Sequence, residues 1–410
     1  MDVYTRAKSR TLTQKLLLVA GIVFIAFNLR PAITAVGPLV SFIRNDLSLT
    51  NGMAGFLTTL PLIAFAVLSP FAPKLGQKIG NEWTVFIGVG LIGAGIVIRS
   101  AGSISLLFFG TALAGIGIAI GNVLLPGIVK MKFPDKATFM TGIYSTSLGI
   151  SAAIASGISV PLVETLGWNW EDSLMIWAYL ALAAFFIWMP QLRRQNIPQG
   201  KLMFVKGRRS LLKSPLAWQV AIFMGFQSFI FYCLITWLPE ILYSQGLSRS
   251  LSGWMLSIVQ IAGLPFSFIV PVIAGKLKSQ GVLAIVLGAC YVTSLVGLLL
   301  GGPLTIVWVV CIGIAQGASF SLALTFLVLR AKDVLDASRL SGMAQSLGYF
   351  LAAVGPALIG YEYDLTHSWF VPILTLVLAS ILMTIAGWGA GKDKFVLEDH
   401  RKGSFDHEKI

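Results

Sequence analysis

Arg30 is the residue of this 410-residue chain that most demands chemistry, because it stands inside the apolar stretch that begins at Leu16. About 15 helical residues precede it, which is ~22 Å of rise. That places the guanidinium near the middle of a membrane-spanning length. A charge there costs roughly 2.5–3.5 kcal/mol on a lenient insertion scale. A water-filled cavity, helix carbonyls or an anionic solute would each offset that cost. Asn28 lies two residues earlier and Pro31 follows directly. Proline has no N–H, so it frees the Phe27 carbonyl one turn back and predicts a kink beside Asn28. Neutral polar residues recur in other apolar runs: Asn122, Tyr144, Gln227, Gln260, Gln316 and Gln345. Amides both donate and accept. They suit contact with a small polar solute, or helix–helix links worth about 0.6 kcal/mol each.

Other chemistries find little support. None of the 17 acids lies at the depth of Arg30; Glu164, Glu240 and Glu362 fall near span ends. The histidines His367, His400 and His407 lie in loops or the tail. A membrane-embedded enzyme needs a nucleophile, metal ligands or paired carboxylates within the spans, so no catalytic residue, cofactor or metal is expected. Cys233, Cys290 and Cys311 sit in apolar runs with no CxxC pair, which predicts small buried side chains. The run GIGIAIG at 115–121 is apolar and lacks a following Lys-Ser/Thr, so it is no phosphate loop. Gly110, Ala114, Gly117 and Gly121 instead have the small-xxx-small spacing of close helix packing. Trp168, Trp170, Trp237, Trp254 and Trp369 mostly lie near span ends and read as an interfacial belt. Trp237 and Tyr232 are alternatively walls of a cavity.

The elements that would position these residues follow from composition. The chain is 56% hydrophobic and 11% charged, with a mean hydropathy of +0.83. A soluble domain carries about 25% charge, so lipid is the expected solvent. Spans of about 20 apolar residues cross the ~30 Å hydrocarbon layer. Twelve such runs occur: 15–42, 52–73, 83–101, 105–129, 138–163, 173–191, 216–242, 251–274, 282–300, 304–329, 341–361 and 369–390. Backbone groups cannot go unpaired in lipid, so these are helices. The first run is too long for a signal peptide and lacks a cleavage-like site, so it reads as a membrane helix. The net charge of +13 might suggest nucleic acid, but the charges lie in short loops rather than on one face. With the N-terminus cytoplasmic, 26 of the 30 Lys and Arg fall on the inner side. Only Arg44, Arg99 and Arg249 fall at outer ends, and Arg30 is the one left inside a span. The positive-inside rule then puts both termini in the cytoplasm of a multi-pass plasma-membrane protein.

The basic segment 192–215 separates six spans from six. An offset of 200 pairs Gly117 with Gly317, Lys130 and Lys132 with Arg330 and Lys332, and Thr141-Gly142 with Ser341-Gly342. It also pairs Ala137-Thr138 with Ala337-Ser338 and Ala152-Ala153 with Ala352-Ala353. Lys74-Leu75 similarly answers Lys276-Leu277. These matches predict two related bundles with a solute site near the bilayer midplane. The division is a cytoplasmic arm 1–14, bundles 15–192 and 215–391, a basic linker 193–214, and a mobile tail 392–410.

Over residues 15–390 the pattern resembles the major facilitator superfamily. That family carries a G-x-L-a-D-r-x-G-r-r loop between its second and third helices; here 73–82 reads PKLGQKIGNE. Lys78 and Gly80 match, whereas Gln77 replaces the usual Asp and Pro73 the leading Gly. The resemblance gives Lys74, Gln77, Lys78 and Gly80 a gating role. FNLRPAITAVGP at 27–38 and GIGIAIGNVLLP at 115–126 are similar to the cyanate permease and 2-nitroimidazole transporter branch. The resemblance implies an all-α membrane protein of twelve helices in two pseudo-symmetric six-helix bundles. It implies a secondary transporter for a small anionic or electron-rich polar solute, working by alternating access with Arg30 as the main contact. Expected partners are that solute, the lipid bilayer, and a coupling proton or counter-anion, with the chain a monomer. An efflux carrier for neutral drug-like compounds is the alternative; a channel or enzyme fits less well.

Overall fold

A computed structural model describes residues 12–69, 71–133, 136–194, 211–332 and 334–397. Residues 1–11 of the expected arm, 195–210 of the linker and 398–410 of the tail lie outside the described residues. The helices in chain order are α1 Leu12–Asn28, α2 Pro31–Thr34, α3 Val36–Leu47, α4 Asn51–Leu68, α5 Ala72–Ile79, α6 Asn81–Arg99, α7 Ile104–Lys132 and α8 Ala137–Glu164. They continue as α9 Trp170–Trp188, α10 Pro215–Ser244, α11 Arg249–Lys276, α12 Gly281–Leu300, α13 Thr305–Leu329, α14 Val334–Thr366 and α15 Phe370–Ala390. Among the described residues, twelve spans are long and apolar enough to cross a membrane. The chain is a multi-pass membrane protein.

The expected first span is broken into α1, α2 and α3 and runs on to Leu47. Pro31 opens α2, where its missing N–H costs nothing because the first donors of a helix are unpaired anyway. The second span ends at Leu68, and the loop beyond it forms its own short helix, α5.

The helices form two compact units, 1–48 with 67–199 and 49–66 with 200–410. Packing thus draws α4 into the second unit, whereas sequence order places it among the first six spans. In the first unit, α6 and α7 cross with their backbones touching. A Cβ at Gly117 would overlap the Gly88 carbonyl, and one at Gly95 would lie 2.5 Å from Ala114 N. The small-residue spacing is therefore used for close packing. Where α6 starts and α7 ends, Lys132 Nζ lies 2.6 Å from Glu82 Oε1, with the two side chains only 7% and 2% exposed. Glu82 stands in the first turn of α6, where the helix dipole favours a carboxylate. Trp188 Nε1 donates to the Glu82 carbonyl at 3.0 Å.

In the second unit α10 is the most buried span. The interfacial reading of Trp237 is corrected: it is fully buried and donates to Pro356 O at 2.8 Å. Trp170 is likewise buried and donates to Asp46 Oδ2 at 3.0 Å. Trp168 and Trp254 are exposed, as a belt requires. Glu240 lies near the outer end of α10, as expected, with its side chain buried. Gly317 meets Gly263 of α11, whereas its repeat partner Gly117 meets α6. The two glycines share a position in the repeat but not a partner, because the repeat counterpart of α11 is α4, which packs in the other unit.

The start of the tail is not free, contrary to expectation. Gly391 O accepts from Gln280 N at 2.9 Å and from Ser279 Oγ at 3.0 Å. Val396 N donates to Arg330 O at 2.9 Å. Arg330 donates to Gln280 Oε1 and lies 3.8 Å from Asp393. Burial pulls the Arg330 guanidinium below its ordinary range, and Asp393 partly restores it.

Lys132→Met should leave the Glu82 carboxylate buried without its cation. Such breakage costs about 3–5 kcal/mol, so the variant in detergent should melt well below the parent. Melting at the parental temperature would mean that the pair contributes nothing.

Candidate functional site

The break in the first span sets the site of the first unit. Arg30 is the residue before α2, and its carbonyl accepts from Ile33 N at 2.9 Å and Thr34 N at 3.0 Å. Thr34 Oγ1 adds a third bond to the same carbonyl at 3.1 Å. The main chain of Arg30 is therefore held while its side chain stays partly exposed. Its charge acts electrostatically on Tyr144. Tyr144 is buried and donates its hydroxyl to Asn122 Oδ1 at 3.2 Å. Asn122 Nδ2 in turn donates to Ile118 O at 3.1 Å. Tyr144 and Asn122 are thus bonded across two spans, within electrostatic reach of Arg30 on a third. Gly121 permits this approach: a Cβ there would lie 2.5 Å from Leu29, the neighbour of Arg30.

The Asn28 amide nitrogen bridges two helices. Nδ2 donates to Phe24 O at 2.7 Å and across to Leu180 O of α9 at 3.2 Å. It splints the end of α1 to α9, just where the helix ladder stops.

Arg99 keeps its expected place at a span end but not its expected surroundings. Expected at an outer loop edge, it is fully buried at the end of α6. Its Nη1 donates to Ala32 O at 2.6 Å, within the short α2 that follows Arg30. Among the described residues, its Nε and Nη2 have no hydrogen-bond partner. Arg30 is therefore not the only cation inside the first unit. A signal was present: Gly88, Gly95 and Arg99 recur at helical spacing, so Arg99 lies on the face that crosses α7.

The four glutamines of the second unit divide. Gln227 is buried and accepts from Ser228 Oγ at 3.2 Å. Gln345 Nε2 donates to Ser341 Oγ at 2.8 Å, one turn back on its own helix. Gln316 is 5% exposed, and among the described residues neither its Oε1 nor its Nε2 has a hydrogen-bond partner. Nε2 of Gln260 is in the same condition. Gln260 and Gln316 sit on α11 and α13, beside the crossing of Gly263 with Gly313 and Gly317. Burying an unpaired amide atom costs about 1–3 kcal/mol. These two amides therefore cost stability, which marks them as candidates for solute contact.

The loop residues Lys74, Gln77 and Lys78 lie on α5, and Gly80 ends it. Gly80 has φ 95°, which a side chain would resist. Its N–H closes the helix on Gly76 O at 2.9 Å. Lys74 lies 5.5 Å from the Phe71 ring centre, and both Lys74 and Lys78 are exposed.

Family comparison fits this architecture. A model described as Major Facilitator Superfamily matches residues 16–360. The chain belongs to the Major Facilitator Superfamily. Over 391 residues, 95% of this chain and 97% of the other, this superfamily member is 50% identical to the uncharacterized transporter YycB of Bacillus subtilis (strain 168). It is 42% identical over 384 residues to the 2-nitroimidazole transporter of Escherichia coli (strain K12), covering 93% and 96% of the two chains. The cyanate transport protein CynX of the same organism is 26% identical over 367 residues, 88% of this chain and 91% of CynX. The fold is also that of a solved nucleoside transporter, NupG (D323A mutant), with a TM-score of 0.75 at 14% identity over 92% and 100% of the chains. The superfamily member is a transporter rather than an enzyme.

Replacing Gln316 by Met keeps side-chain length and removes both unpaired atoms. The melting temperature should hold or rise, by the equivalent of about 1–3 kcal/mol. A clear fall would show that Gln316 serves packing.

Proposed function

We propose that this superfamily member is a secondary transporter for a small, planar, acceptor-rich solute, a nitroheterocycle or a cyanate-like anion, with Arg30 as its main contact. The observation that carries the reading is Arg30 at a break in a membrane helix, within electrostatic reach of the hydrogen-bonded pair Tyr144–Asn122. A guanidinium presents a planar fork of donors. Nitro oxygens and the ends of cyanate are both acceptors, so one group serves either solute. The names of the 42% and 26% identical relatives, for 2-nitroimidazole and cyanate, point to the same shared chemistry. The higher identity favours the nitroheterocycle. In the second unit, Gln316 and Gln260 are assigned to the solute for their unpaired amides. Gln227 and Gln345 are weaker candidates because protein groups already engage them.

The distribution of Lys and Arg supports a plasma-membrane protein with both termini cytoplasmic. The first six and last six spans are then the parts that change orientation during alternating access. The exposed lysines of α5 and the Gly80 turn belong to its gating loop on the cytoplasmic side. The cycle is a uniport or is coupled to a proton or a counter-anion, and the chain works as a monomer.

Arg30→Ala should lose solute-dependent thermal stabilisation and uptake by at least tenfold, while the apo protein stays folded. Arg30→Lys should be nearly as poor, because a single ammonium lacks the planar fork. The measurement is a thermal-shift and vesicle-uptake screen with 2-nitroimidazole and cyanate. Uptake by Arg30→Ala at the parental rate, or a preference for organic cations, would overturn the assignment.

A further inference from the structure

Within the second unit, α4 is tied to α14 from end to end. At the first residue of α4, Asp364 Oδ1 accepts from Asn51 N at 3.0 Å and Asn51 Nδ2 at 2.6 Å. Asp364 Oδ2 accepts from Gly52 N at 2.8 Å. Helix starts leave backbone donors unpaired, and the cap normally comes from the residue just before. Here the adjacent Thr50 takes only Met53 N, at 3.2 Å. A carboxylate on another span takes the other two, and its charge also meets the positive end of the α4 dipole.

Below this cap the two backbones are in contact. A Cβ at Gly55 would overlap the Pro356 carbonyl, and one at Gly360 would overlap the Asn51 carbonyl. Further along, Thr59 Oγ1 donates to Ala353 O at 2.6 Å, and Phe65 stacks on Tyr349 at 5.1 Å. Ser346 Oγ reaches Ala66 O at 3.1 Å. Each of these is a single neutral contact. The Asp364 cap alone combines three bonds and a charge.

We propose that Asp364 is a gate residue: its cap on α4 holds this end of the α4–α14 crossing shut, and its release opens it. The proposal rests on the alternating-access reading, under which this end faces outward. Through residues 48–50, α4 is continuous with α3, so a change of orientation of the early spans must pull on this cap. A small separation at Asn51 and Gly52 breaks all three bonds together, which makes the cap a two-state element.

The test uses the full chain with Cys233, Cys290 and Cys311 replaced by Ala. A Cβ on Gly52 lies 3.7 Å from Tyr361 Cβ, within the ≈ 3.5–4.5 Å range of a disulfide. Gly52→Cys with Tyr361→Cys should therefore close a disulfide on oxidation, read as loss of maleimide-reactive thiols. Uptake of 2-nitroimidazole should stop when the bond forms and return on reduction. In a second arm, Gly52→Cys alone is labelled from outside with a membrane-impermeant maleimide. Adding Asp364→Ala should speed labelling several-fold, and Asp364→Asn should fall between. Unchanged labelling, thiols that do not pair, or full uptake by the cross-linked protein would each overturn the gate. If no solute is transported but labelling responds to Asp364, the gate stands and the transport assignment fails.

Discussion

A membrane span must satisfy its own backbone, because hydrocarbon offers no hydrogen bonds. The first span breaks that rule between Asn28 and Pro31, and much of the first unit is arranged around the break. Asn28 bridges to Leu180 O, Arg99 reaches Ala32 O, and the Thr34 hydroxyl adds to the Arg30 carbonyl. Two side chains of the span itself and one from α6 hold a segment that would otherwise expose bare peptide groups. The same break gives Arg30 its place, with its main chain held and its guanidinium partly exposed. Polar groups at membrane depth are thus divided between repairing the backbone and facing outward from it.

The second constraint is close approach. Glycines let α6 meet α7, α11 meet α13, and α4 meet α14 with almost no side chain between them. Without a hydrophobic drive between helices in lipid, such contact is what holds them. It also confines motion, because backbones that touch can slide or part but cannot deform smoothly. The crossing of α4 with α14 matters most here, since α4 belongs by sequence to the early spans and by packing to the later ones.

The two units handle polarity differently. In the first, Tyr144 and Asn122 form a connected chain to Ile118 O, within electrostatic reach of Arg30. In the second, Gln316 and Gln260 hold unpaired amide atoms. A connected chain orients a group, whereas an unpaired amide costs free energy until something binds it.

Composition and periodicity by themselves determined the twelve spans, and the motifs at 27–38 and 115–126 carried the resemblance to the superfamily. Lipid imposes a length on every span and a cost on every charge, and both show in a linear string. The kink at Pro31 was legible for the same reason, since a missing N–H is a property of the residue. Tertiary structure decided which face each residue presents. Arg99 looked like a loop-edge cation, but its face turns inward against α7 and α2. Trp237 looked interfacial, but Gly360 and the Pro356 carbonyl make a buried slot for it. Gln345 looked like Gln316 until its own helix supplied a partner. The start of the tail looked mobile until Arg330 and Gln280 took hold of it. The place of α4 was also out of reach, because helix membership is set by glycine contacts between segments some 300 residues apart.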